Sequence, residues 1–227
     1  MRRTLSTADR KHLSDCGLCH DNVGKWCGAG AGHDVFEYGE SHVVKVPKIR
    51  WLKDKLSIIT ADDAQHSLEI IEEHFLQYSL PARIHRSASD SSYCIVQKRL
   101  YLFENLTSVH LRTNVSLARQ LSEIMRRNRK LVKDHNLALD LFGKEGCIQS
   151  VLSSISFGTA QMSNLVVTGA GDSARIVIVD SNVFSINRAD ETLLQRKLMN
   201  DAGKCSHVLN EFLVKRTFDR ASAGTQA

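Results

Sequence analysis

Cys27-Gly-Ala-Gly-Ala-Gly-His-Asp-Val-Phe-Glu37, followed after Tyr38-Gly39-Glu40-Ser41 by His42-Val43-Val44-Lys45-Val46, decides how this chain folds. A glycine-rich turn leads into a strand. Gly39 then supplies a tight turn, and a second strand follows. That second strand is apolar on both sides of Lys45 and ends at Pro47. An ammonium inside an apolar strand is costly unless a carboxylate or phosphate compensates it. Two readings of Lys45 stay open at this point: a compensated, functional lysine, or one that faces solvent from a half-buried strand.

Working outward, Thr60-Ala-Asp-Asp63 has the form of a capping box at a helix start. Leu68, Ile71, Phe75 and Leu76 then recur at three- and four-residue steps, which predicts an amphipathic helix over 60–79, stopped by Pro81. Glu72 lies beside the apolar face, and Glu69 lies one turn earlier. Ser92 to Gln97 reads as a strand and runs into Lys98-Arg99-Leu100. A long helix is expected from Ser116 to about His135, with Leu117, Leu121, Ile124, Met125, Leu131 and Val132 on one face. Ser163 to Thr168, a Gly-rich turn, and Arg175 to Asp180 make a hairpin with Asn164 at its entrance and Asp180 at its exit. Asn and Asp often simply terminate strands. The same pair also offers hard oxygen ligands to Mg²⁺.

In this order the blocks resemble the protein-kinase-like superfamily, in particular its small atypical and aminoglycoside-phosphotransferase-like members. The resemblance runs from about Gly28 to Phe184. It implies an α+β, two-lobed kinase-like fold: a small antiparallel N-lobe sheet with one helix, and a reduced, mainly helical C-lobe. The boundaries read as an N-terminal extension over 1–26, an N-lobe over 27–100, a C-lobe over 101–220 and a tail over 221–227. It further implies ATP and Mg²⁺ as cofactors. Gly28, Gly30 and Val35 would cover the phosphates, and Lys45, oriented by Glu72, would bind them. Gln97 to Leu100, with Gln97 and Arg99 as contacts, would meet the adenine, while Asn164 and Asp180 would hold the metal.

Three positions depart from the family pattern. His33 stands where the loop's third glycine belongs, and Ser181-Asn182 follow the metal aspartate in place of Phe-Gly. Thr159 occupies the position of the catalytic aspartate, five residues before Asn164. Asp140, in Ala138-Leu-Asp-Leu-Phe-Gly143, follows the long helix where a catalytic loop begins, and is the substitute base. It precedes Asn164 by 24 positions (164 minus 140) where the family has five, so about nineteen residues (24 minus 5) would have to loop out, with 148–158 forming much of the excursion. A structural acid is the other reading of Asp140. Two functions follow from the resemblance. One is a phosphotransferase acting on an unknown acceptor. The other is a pseudokinase that binds nucleotide and regulates a partner protein.

The bulk numbers fit either. At 227 residues, 42% hydrophobic and 24% charged, the chain suits one sizeable core or two small lobes. A net charge of +5 with 6% aromatics argues against a nucleic-acid binder. The basic knot Arg126-Arg-Asn-Arg-Lys130 reads as a solvated helix side. No apolar run suits a membrane span or a signal peptide, so a cytoplasmic protein with six reduced cysteines is expected. Cys16-Gly-Leu-Cys19-His20 matches a haem-attachment pattern and, with Cys27, a possible zinc knuckle. No second knuckle accompanies it, and a chance cluster of thiols is the plainer reading.

Overall fold

The computed structural model describes residues 3–29, 33–48, 60–88, 92–141, 162–180 and 183–185, with a few positions between 211 and 218. The protein is α+β with antiparallel sheets. It divides into two compact units, Met1–Ile70 with Leu80–Tyr101, and Ile71–Ser79 with Leu102–Ala227.

The first unit is built on five strands: β1 (Val23–Ala29), β2 (His33–Tyr38), β3 (His42–Pro47), β4 (Ala82–Arg86) and β5 (Tyr93–Lys98). Their order is β1-β2-β3-β5-β4, antiparallel throughout. Gly39, at φ +58°, makes the β2–β3 turn in the left-handed region that glycine enters without strain. Helix α2 (Ala61–Phe75) lies between β3 and β4 in sequence. Its start is a capping box: Asp63 N–H donates to Thr60 Oγ1 (3.1 Å) and Thr60 N–H donates to Asp63 Oδ2 (3.0 Å).

Strand alternation gives the sheet two different faces. Phe36, Val44, Val46 and Cys94 pack with Leu13, Cys16 and Leu18 in one buried cluster. Tyr93 and Ile95 pack with Ala61 and Ala64 of α2 in another. The residues expected to form an N-terminal extension thus supply a layer of the first unit. Helix α1 (Thr7–Asp15) is nucleated by a capping box, Asp9 N–H to Ser6 Oγ at 3.2 Å and Ser6 N–H to Asp9 Oδ2 at 2.9 Å. Arg3 bridges the Asp9 carboxylate (3.0 Å) and Asp34 of β2. Burial pulls the Asp9 pKa upward, but the Ser6 hydrogen bonds and the Arg3 charge outweigh it and hold the carboxyl below its usual value.

The second unit contains β6 (Glu104–Leu106), α3 (Ser108–Thr113), α4 (Val115–His135), β7 (Leu137–Leu139), β8 (Met162–Thr168), β9 (Arg175–Ile178) and β10 (Val183–Ser185). One sheet has the order β6-β8-β9, and β7 pairs with β10. Helix α4 buries Leu117, Leu121, Ile124, Met125, Asn128 and Leu131. Gln120 pins it to the sheet: Nε2 donates to Ala174 O (3.2 Å) and Oε1 accepts from Ile176 N–H (2.8 Å). Asn136, at φ +55°, ends the helix in the left-handed conformation and turns the chain into β7. Gly169 is required in the β8–β9 turn, where φ is +79° and a Cβ would lie 2.6 Å from Ser173 O. The segment after α2 belongs here, since Ile178 N–H donates to Tyr78 O (2.7 Å) and Arg127 donates to His74 O (2.8 Å).

Among the described residues no helix is long and apolar enough to cross a membrane. Residues 190–199 lie outside the described residues, as do most positions of 207–218.

Candidate functional site

The register of the first sheet sorts the expected nucleotide contacts. Val35 pairs with Lys45, Lys45 with Ile95, and Ile95 with Ile84, one row across four strands. Residues in register share a face, and so do residues two apart on a strand. Val35, Lys45 and Gln97 therefore lie on one side of the sheet. It is the side where Tyr93 and Ile95 meet α2. Gly28 pairs with Val35 at the β1 edge. Lys45 is 7% exposed and Gln97 4%. An ammonium buried to that degree requires compensation by a partner or ligand. Gly30 lies outside the described residues.

His33, which replaces the loop glycine, opens β2 opposite Pro47. Its ring is buried, with Nε2 3.2 Å from Tyr93 Oη and the two rings edge to face at 5.8 Å. The imidazole is thus an internal anchor at the end of the loop, which sequence reasoning had no means of seeing. Arg99 pairs with Glu37 of β2 (2.8 Å) and stacks over Tyr101 at 5.0 Å. Its guanidinium is thereby held to the sheet. Glu72 is exposed on α2 and falls in the second unit, whereas Lys45 belongs to the first. Glu69 is also exposed and accepts from Gln65 Nε2 (2.9 Å).

In the second unit the hairpin and the segment after β7 converge. Asn164 is buried near the start of β8, and its Nδ2 donates to the carbonyl of Asp140 (3.0 Å). Asn164 N–H reaches Leu141 O (3.4 Å), and Val179 N–H donates to Asn164 O (3.0 Å). Asp180 is the next residue. Asp140, Asn164 and Asp180, 40 positions apart at the extremes (180 minus 140), therefore come together at one end of the β8–β9 ladder. Thr159 and the 148–158 excursion lie outside the described residues, as do Ser181 and Asn182.

A further positioning residue is Asn128 of α4. It is fully buried, and its Oδ1 accepts from Leu139 N–H (2.8 Å), fixing the end of β7 immediately before Asp140. Its position seven after Leu121 and three before Leu131, on the apolar stripe, was the available signal. The basic residues around it are paired with acids. Arg126 (2.8 Å) and Arg127 (2.7 Å) both hold Glu123, and their hydrogen bonds bring that carboxyl down to about 2. Arg129 pairs with Glu211 (2.7 Å).

The Cys-x-x-Cys-His stretch does not act as a unit. Cys16 turns into the core, while Cys19 and Cys27 are exposed. His20 Nδ1 lies 3.3 Å from Ser14 Oγ at the surface. Among the described residues the close group of metal-type ligands is His12, Cys16 and Cys94.

No protein-family model, curated protein or solved structure matches this chain. The class of protein is therefore argued from its own residues.

Proposed function

We propose that the chain is an ATP- and Mg²⁺-dependent phosphotransferase with a two-lobed protein-kinase-like fold. The observation that supports this most is the hydrogen bond from Asn164 Nδ2 to Asp140 O, with Asp180 following the residue that bonds Asn164's own carbonyl. An amide that spends its N–H₂ on the neighbouring backbone keeps its oxygen for a cation, and Asp180 supplies a second hard oxygen. Mg²⁺ held by these two residues would neutralise charge on the transferring phosphoryl group. The same bond ties the backbone of Asp140 to the metal residue. A carboxylate there serves as the base for an acceptor hydroxyl, in place of Thr159.

Lys45 binds the α- and β-phosphates and the backbone of 97–100 receives adenine, while Glu72, exposed and in the other unit, takes no part in this reading. The sharing of one sheet face by Val35, Lys45 and Gln97 supports this assignment. The acceptor is a hydroxyl on a protein, sugar or small metabolite.

The test is a melting curve with and without ATP and Mg²⁺. Ligand at a hundred times its Kd stabilises by about 2.7 kcal/mol, a rise of roughly 5–10 °C for a chain of this length. Lys45→Met is expected to abolish the rise. Identical curves with and without MgATP, or an equal shift in Lys45→Met, would contradict the proposal.

A further inference from the structure

His12 and Cys16 lie four residues apart along α1 and its C-terminal cap, and so project from the same side of the helix. Cys94 comes from β5, the strand beneath. One ligand atom from each lies within 4.8 Å of the other two, and all three residues are buried: Cys94 fully, Cys16 at 4% and His12 at 6% exposure. Cys16 Sγ is 4.0 Å from His12 Nε2. Tetrahedral zinc sets its sulfur and nitrogen ligands about 3.5–3.8 Å apart. That pair is thus within roughly half an ångström of the required separation. We infer that His12, Cys16 and Cys94 form a Zn²⁺ site that clamps the N-terminal helix to the sheet.

The chemistry of the donor set selects the metal. Two soft thiolates and an imidazole favour Zn²⁺ over Mg²⁺ or Ca²⁺, which take oxygen ligands. Two thiolates, one neutral imidazole and a dication sum to zero charge, which is the condition for burying the assembly. Asp9, one turn before His12, shares the Arg3 guanidinium with Asp34, so this neighbouring group carries one net negative charge, which a nearby cation offsets. Without a cation the thiols stay protonated. The contact with Cys16 and burial both push Cys94 well above the ordinary thiol range. Binding releases one proton from each thiol to solvent, so affinity rises steeply with pH and is lost on acidification. His12 Nε2–H donates to Tyr93 O at 3.0 Å, and coordination through that nitrogen exchanges this neutral hydrogen bond for a metal bond. The site is independent of the phosphotransferase proposal and of Cys19, His20 and Cys27.

The full chain, purified with a phosphine reductant in metal-free buffer, would be titrated with Co²⁺ and then Zn²⁺. The expected result is one Co²⁺ per chain with a thiolate-to-cobalt charge-transfer band and strong tetrahedral d–d bands, bleached by Zn²⁺. Cys94→Ser and Cys16→Ser are expected to lose more than the ~100-fold in affinity that an outer-shell change costs. The double variant Cys19→Ser/Cys27→Ser keeps the bands in full. Should the core variants fail to fold, X-ray absorption at the zinc edge of the wild-type protein decides. Two sulfur scatterers at about 2.3 Å, one imidazole nitrogen at about 2.0–2.1 Å and a water oxygen as the fourth ligand are expected. No stoichiometric metal on the folded, reduced protein would overturn the site. So would an oxygen-only shell, loss of the bands in the Cys19/Cys27 variant, or a Cys16–Cys94 disulfide that on reduction yields no metal binding.

Discussion

Asp140→Asn is expected to lower ATP turnover by about 10²–10⁴-fold, the usual contribution of a positioned base, while leaving the MgATP-induced rise in melting temperature intact. The substitution preserves shape and the backbone carbonyl that receives Asn164 Nδ2, and it removes the proton acceptor. Asp180→Ala has a different signature. It deletes a hard oxygen ligand, so both turnover and the Mg²⁺-dependent part of the stabilisation fall. Asn164→Ala removes a metal ligand and the tie to Asp140 together. Its effect combined with Asp140→Asn is therefore expected to be less than additive, as for residues acting through one network. Steady-state phosphate release and melting curves on the three variants separate these outcomes. Full turnover in Asp140→Asn would remove it as the base. A protein stabilised by MgATP that turns nothing over would instead be the nucleotide-binding pseudokinase.

The second large effect concerns stability. Phe36→Ala is expected to cost about 3–5 kcal/mol, the range for deleting a buried aromatic side chain, and to lower the melting temperature by roughly 6–20 °C at this chain length. Phe36 is 1% exposed and packs in the cluster containing Leu13 and Cys16 as well as Val44 and Val46. Its removal therefore loosens α1 from the sheet as well as opening a cavity. Leu102→Ala is the contrasting variant. Leu102 is 85% exposed, and its substitution is expected to stay within about 0.5 kcal/mol. Denaturant unfolding of both checks the pair, and equal midpoints would show that α1 does not share the sheet's core.

The sequence made some of this legible and hid the rest for physical reasons. The Thr60 cap, the α4 stripe and the hairpins around Gly39 and Gly169 rest on local signals of period, capping and turn chemistry, and the structure carries them within a few residues. Helix α1 was not legible because its inward positions include Asp9 and His12 besides Leu13. Those polar groups are satisfied by Arg3, Ser6 and the Tyr93 carbonyl, none of which a hydrophobic period can register. Cys16, Cys19 and His20 match a local haem or zinc pattern but read more plainly as a chance cluster, and Cys16 instead meets Cys94, 78 positions away (94 minus 16). Asn128 lies within a charged run, and although its spacing from Leu121 and Leu131 marks the inward phase, the Leu139 N–H that it receives is set by the tertiary fold. The approach of Asp140 to Asn164 depends on the pairing of β8 with β9 and on the run of chain after β7, and no motif encodes it.

The proposed activity is tested most directly by covalent mapping of the phosphate site. An acyl-phosphate derivative of ATP transfers its acyl group to lysines beside the bound phosphates, and peptide mass spectrometry locates the adduct. The expected result is an adduct on Lys45 that excess ATP with Mg²⁺ suppresses. An unlabelled Lys45, or labelling there that MgATP leaves unchanged, would contradict the assignment of this buried lysine to a nucleotide.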